Sequence, residues 1–168
     1  MKDIHMKVLL ELMVHCRRSD REIAKVLHVS QPTVTRARVW LETNRFISEC
    51  TLIPDFSKIG LELAAFTFFK LRVGDTKEEY EETGDRAREF LKRNPNTVMA
   101  LRGEGMGCDG VLVSLHKDFA GFTRFMRQLK TETVGTEVVG SFLASLSDTN
   151  QYRGLTFKYL KEYLSKES

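Results

Sequence analysis

The sequence predicts an α+β chain: an N-terminal winged helix-turn-helix domain, then a ferredoxin-like βαββαβ domain, then a C-terminal helix. Three observations carry this. Residues 19–47 read as two short capped helices with a tight turn between them. Residues 61–147, stripped of linkers, read β-α-β-β-α-β, the order of a four-stranded antiparallel sheet with two helices on one face. Thr156 to Ser165 then reads as a last helix carrying Phe157, Leu160 and Leu164. The expected boundaries are 1–53 for the first domain, 54–62 for a linker, 63–147 for the second domain and 148–168 for the C-terminal extension.

In the first domain, Lys2 to Cys16 places Ile4, Val8, Leu9, Leu12 and Met13 on one side of a helix. Ser19 and Ser30 cap the next two helices, since each hydroxyl can accept an orphan first-turn N–H. Ile23, Ala24 and Leu27 form one apolar face; Val34, Ala37 and Leu41 form another at the same helical spacing. Ala24 is small enough for close crossing, and Val29 plugs the corner. The turn falls at His28-Val29, where a φ > 0 residue is needed; histidine tolerates that better than most side chains. The second capped helix should end near Asn44 in a left-handed cap. Phe46 to Ile53 alternates and is partly β-branched, so it reads as a strand, the wing. Pro54 to Gly60 has linker composition.

In the second domain, Leu63 to Val73 reads as a strand apolar on both faces. Thr76-Lys77-Glu78-Glu79 fits a capping box, and Tyr80, Ala87, Phe90 and Leu91 supply the following helix face. Gly84 sits inside that helix at a cost of about 1 kcal/mol and suggests a close neighbour. Thr97 to Arg102 reads as strand, Gly103 to Gly110 as a glycine-rich loop, and Val111 to His116 as strand. Asp118 caps a helix whose face is Phe119, Phe122, Phe125, Met126 and Leu129, and Val138 to Leu146 closes the set. A sheet apolar on both faces needs a second layer, which a second copy of the chain supplies.

The 168 residues, 42% hydrophobic and 29% charged, allow one mid-sized domain or two small ones. No apolar run approaches the roughly 20 residues of a membrane span, and no signal-peptide h-region follows Met1. Cys16, Cys50 and Cys108 are odd in number and far apart, which suits a reducing cytoplasm better than a disulfide framework. They form no CxxC, and His5, His15, His28 and His116 lack metal-ligand spacing, so neither a metal nor a cofactor is expected. Residues 1–50 hold nine Lys/Arg and six Asp/Glu, so the whole net charge of +3 sits there; the remainder holds 17 of each sign. A +3 field is modest, and two or more copies would multiply phosphate contacts.

Val29-Ser30-Gln31 through Arg36, then Leu41-Glu42 and Phe46-Ile47, and onward through Leu52-Ile53-Pro54-Asp55 and Ile59-Gly60, resemble the Lrp/AsnC (leucine-responsive, feast/famine) family of transcriptional regulators. The resemblance spans residues 3–147. It implies a DNA-binding domain joined to a βαββαβ effector domain. It also implies homodimers through the sheet, with tetramers or octamers as further assemblies, and amino acids bound near the loop joining the second and third strands. Arg45 stands where that family usually has glycine. Met106 stands three residues before Asp109, where a Gly-x-x-Asp pattern is usual. The tail after Asp148 is an addition.

The expected partner is double-stranded DNA at palindromic sites. Gln31, Thr33, Thr35 and Arg36, with Ser30 at the mouth of the helix and Ser19 across the turn, are the candidate contacts. Gln suits adenine, Arg suits guanine or phosphate, and threonine suits thymine methyls or phosphates. Arg38 lies near the core face, within reach of a phosphate or of an internal carboxylate. Arg17, Arg18, Arg21 and Lys25 are candidate backbone contacts or plain surface. Trp40 reads as half-buried packing. The Gly103 to Gly110 stretch reads first as a simple hairpin loop; as a ligand loop, the alternative, it offers Gly105, Gly107 and Asp109 as the candidate effector contacts, with Asp109 toward an ammonium group. The dinucleotide fingerprint fails there, because a strand follows rather than a helix. No catalytic residue is expected. Sirohaem decarboxylases resemble this architecture, but they carry His and Tyr near the strand that here reads Thr97 to Arg102, which has neither. A third reading is an assembly protein that has lost DNA binding.

Overall fold

The computed structural model describes residues 2–71, 77–147 and 151–166. In chain order the elements are α1 (Asp3–Val14), α2 (Asp20–Leu27), α3 (Gln31–Thr43), a 3-10 turn (Ser57–Ile59), β1 (Leu63–Leu71), α4 (Lys77–Arg93), β2 (Thr97–Gly105), β3 (Cys108–His116), α5 (Phe119–Glu132), β4 (Thr136–Ser145) and α6 (Leu160–Lys166). They form two compact units. One comprises the chain up to Ile53 together with the stretch from Arg153 onward; the other is Pro54–Tyr152.

The first unit packs α1, α2 and α3 around Val8, Leu12, Ile23, Ala24, Val34, Ala37 and Leu41, with Ile4, Leu9, Leu27, Val29, Trp40 and Ile47 around them. These are the periodic apolar positions of the three helices, brought to one point because i, i+3 and i+4 share a helix face. Trp40 is half-buried and stacked between His5 and Phe46, at centroid distances of 4.0 and 5.2 Å. α6 packs on α1, where Lys161 pairs with Glu11, and Arg18 pairs with the same carboxylate. The last helix therefore starts at Leu160, later than expected, and Phe157 precedes it.

Two expectations fail in this unit. Phe46 to Ile53 forms no strand. Its alternation is real, but no neighbouring strand offers a ladder, and an isolated strand has no backbone partners. The left-handed residue after α3 is Arg45 (φ 57°) rather than Asn44 (φ −90°). Asn44 instead donates its side-chain amide to the Trp40 carbonyl at 2.8 Å.

In the second unit the strands lie in the order β2-β3-β1-β4, every pair antiparallel. α4 and α5 cover one face over Phe90, Leu112, Phe125 and Leu129, ringed by Phe69, Leu91, Met126 and Val138. Thr67 on β1, whose hydroxyl approaches Met126 Sδ, is paired with Leu112 on β3, which fixes that face. Alternation then sends Phe66, Val113, Leu101 and Phe142 to the opposite face. There Phe142 and Leu101 are 64% and 53% exposed in the single chain. Gly110 faces Phe69 in the register, and a Cβ there would collide with the Phe69 ring and the Leu101 carbonyl.

Gly84 has no close neighbour: a Cβ would meet only Arg88, at 4.0 Å. Phe119, placed on the core face by spacing, is exposed, because as the first residue of α5 it precedes the turn that meets the sheet. Thr76 of the expected capping box and the Tyr80 side chain lie outside the described residues.

Candidate nucleic-acid interface

α2 begins at a reciprocal cap. Glu22 N donates to Ser19 Oγ at 3.3 Å, and Ser19 N donates to the Glu22 carboxylate at 2.8 Å. The Ser19 hydroxyl also donates to that carboxylate, at 2.6 Å, and this bond, followed by the one from Ser19 N, holds the Glu22 carboxyl below its ordinary pKa of 4.5. The helix ends at His28 in the left-handed region (φ 53°, ψ 43°), and both His28 N–H and Val29 N–H donate to the Ala24 carbonyl. The chain reverses there and enters α3 through Ser30, which accepts from Thr33 N, with Pro32 in the first turn, where no intrahelical N–H is lost.

This geometry sorts the candidate residues. Gln31, Thr35 and Arg36 are exposed on α3, and Ser30 is exposed at its mouth. Thr33 is half-buried, its hydroxyl 2.8 Å from Ser30 Oγ. Thr35 donates to Asp20 Oδ2 at 2.7 Å. Arg38 turns inward: Nε donates to Asp20 Oδ1 at 2.7 Å, and a terminal nitrogen donates to the Arg18 carbonyl at 2.8 Å. Of its two sequence readings, the internal carboxylate is the one observed. Ser19 is occupied in its cap. Arg17, Arg21, Lys25, Arg36 and Arg45 are exposed and form no ion pair among the described residues, whereas Arg18 is held by Glu11.

Sequence reasoning missed Asp20 as the residue that joins α2 to α3, since nothing local marks a partner 18 positions away. It also missed Glu11. There a signal existed: a single carboxylate inside the apolar run Val8 to Val14.

No protein-family model matches the chain, and no curated protein matches it. Solved structures do. The transcriptional regulator NMB0573 of Neisseria meningitidis, in complex with L-Met, has a TM-score of 0.72 at 17% identity, covering 95% of this chain and 99% of that one. LrpC of B. subtilis has a TM-score of 0.68 at 19% identity, covering 92% and 96%. An AsnC family transcriptional regulator of Agrobacterium tumefaciens has a TM-score of 0.68 at 19% identity, covering 95% and 99%. The chain has the Lrp/AsnC fold. At such identities the likeness is one of fold.

Within this Lrp/AsnC fold the glycine-rich stretch is not the long loop expected. β2 runs to Gly105 and β3 starts at Cys108, leaving only Met106-Gly107, with φ of 53° and 69°, as the turn. Two left-handed residues in a two-residue hairpin match the twist of the flanking strands. Asp109 is tied down as well, accepting from Leu71 N at 2.7 Å through Oδ2. Gly105, Gly107 and Asp109 thus lie together at one end of the hairpin.

The expectation that the cysteines form no disulfide is also overturned. Cys16 and Cys50 are joined by a disulfide, their Cα atoms 6.1 Å apart, and Cys108 is buried and free. Distance along the chain gave no hint, because the folding of α2 and α3 brings residue 50 back to residue 16. Among the described residues no helix is long and apolar enough to cross a membrane, and no three His, Cys, Asp or Glu are grouped to hold a metal.

Proposed function

We propose that this chain is a DNA-binding transcriptional regulator of the Lrp/AsnC type, its helix-turn-helix formed by α2 and α3. The observation that carries the reading is the outward face of α3. Gln31, Thr35 and Arg36 are exposed there on a helix whose start is capped by Ser30 and whose side is locked by Asp20 and Arg38. A major-groove reader needs side chains of this chemistry on a rigid rod. The exposed Arg17, Arg21, Lys25 and Arg45 supply candidate phosphate contacts. The DNA-binding unit on this reading is residues 1–53 completed by α6. Pro54–Tyr152 forms a ferredoxin-like dimerisation and effector domain.

The apolar outer sheet face with Phe66, Leu101 and Phe142 supports a homodimer, which presents two reading helices to a palindromic site. An amino acid is the effector class that fits, since one structure of the same fold is an L-Met complex. The test is fluorescence anisotropy on duplex DNA from the chain's own upstream region at low salt. Binding that weakens steeply with salt and saturates at two chains per palindrome is expected. No binding to any fragment at low salt, with the protein folded, overturns the reading.

A further inference from the structure

We propose that Cys16 and Cys50 are a redox-active pair, at which a low-molecular-weight disulfide such as oxidised glutathione reversibly staples the segment leaving α3 to the turn after α1. The two Cα atoms lie 6.1 Å apart, inside the span a disulfide requires. The bond closes a loop containing all of α2 and α3. Phe46 is bound to the helical body by its N–H on the Leu41 carbonyl at 2.9 Å, whereas residues 47–53 form neither helix nor strand. Within this stretch Ile47 packs on the core and Cys50 is bonded to Cys16. The unit has its own seven-residue buried core without the bond, so it stays folded with free thiols. Cys50 is exposed and Cys16 half-buried, so Cys50 is the sulfur an oxidant meets first. The exposed Arg17 beside Cys16 in the chain favours an anionic oxidant. Cys108, buried with its thiol on the Met106 carbonyl at 3.4 Å, does not compete.

The step balances as thiol–disulfide exchange. The Cys50 thiolate attacks one sulfur of oxidised glutathione, whose S–S bond breaks, and one glutathione leaves as a thiolate and takes up a proton. The Cys16 thiolate then attacks the Cys50 sulfur, displacing the second glutathione, which takes up the second proton. Two protein thiols lose two electrons, and one oxidised glutathione becomes two thiols. Only Thr51 to Ile53 then separate the staple from Pro54, where the second unit begins. Resting on the proposed function, oxidation narrows the range of half-site spacings that a dimer can bridge.

The experiment equilibrates the full chain across glutathione buffers, traps thiols with acid and an alkylating agent, and maps the linked peptides by mass. A Cys16–Cys50 link that opens and closes reversibly is expected, as is one glutathione held on Cys50 in Cys16→Ser. A link absent in the most oxidising buffer, or closed in the most reducing one while the protein is native, overturns the proposal. DNA anisotropy on duplexes of varied half-site spacing is read in parallel. The oxidised form should lose at least fivefold in affinity off the preferred spacing relative to the reduced form. Equal profiles overturn the spacing control. Absence of DNA binding in both forms, with the mass switch intact, instead removes the proposed function and leaves the thiol pair standing.

Discussion

Asp20 and Arg38 sit 18 residues apart in the chain and 2.7 Å apart in space, and the same carboxylate accepts the hydroxyl of Thr35. One side chain on α2 thus sets both the rotation of α3 and the orientation of one of its outward residues. Asp20→Ala leaves the Arg38 guanidinium part-buried against the Arg18 carbonyl alone. A loss of about 1–3 kcal/mol is expected in urea unfolding. Weaker DNA binding should accompany it even at temperatures where the variant is fully folded. Asp20→Asn, which keeps one acceptor, should recover part of both.

Arg36 differs, because it is exposed and, among the described residues, its side chain bonds the Pro32 carbonyl of its own helix, at 3.2 Å. Arg36→Ala should leave the melting temperature within about 1 °C. It should weaken DNA binding by about 1–3 kcal/mol if it reads a base. If it contacts a phosphate, the loss should instead be the same on every sequence, with the salt slope reduced by about one. Anisotropy at several salt concentrations separates the two.

His28 and Arg45 both hold left-handed backbone, at φ of 53° and 57°. The Cβ of each pays a steric cost there that glycine avoids. His28→Gly and Arg45→Gly should each stabilise the first unit by up to about 1 kcal/mol, measured by denaturant midpoint at unchanged m-value. Arg45→Gly also removes an exposed cation, so its DNA affinity should fall while its stability rises.

The two glycines Gly84 and Gly110 predict opposite outcomes. Gly84→Ala fills open space on α4 and should stabilise by about 1 kcal/mol. Gly110→Ala drives a methyl into the Phe69 ring and the Leu101 carbonyl and should destabilise by about 1–3 kcal/mol or more. Calorimetry on the pair of variants decides both.

His116 is buried between Phe122 and Phe125, with Nε2 2.9 Å from Ser114 Oγ. Burial lowers its pKa from 6.5, while Asp118 opposes the shift. A base whose folded pKa is depressed adds stability above its unfolded value and loses it as pH falls through and below that value. The second unit should therefore melt at lower temperature below about pH 6.5 than at pH 8. His116→Gln should flatten that dependence, as followed by near-UV circular dichroism.

Much of this was legible in the residues. Ser19, Ser30 and the apolar triads of α2 and α3 are local signals, each fixed within one or two turns of helix. Arg38 was legible only as a choice, because its spacing places it at the edge of the core and the partner lies on another helix. The strand expected over Phe46 to Ile53 failed because alternation describes one strand and pairing needs two. The stretch from Gly103 to Gly110 was legible as a hairpin, but its length was not, because glycine suits paired strand ends and a two-residue turn as well as a longer loop. The Cys16–Cys50 bond was invisible because three-dimensional proximity across α2 and α3 leaves no mark on spacing.

Lys161 reaches Glu11, so a stretch that follows the sheet unit in the chain completes the helical unit that precedes it. During synthesis α1, α2 and α3 are made well before α6, so this packing partner appears only after the whole sheet unit has been completed.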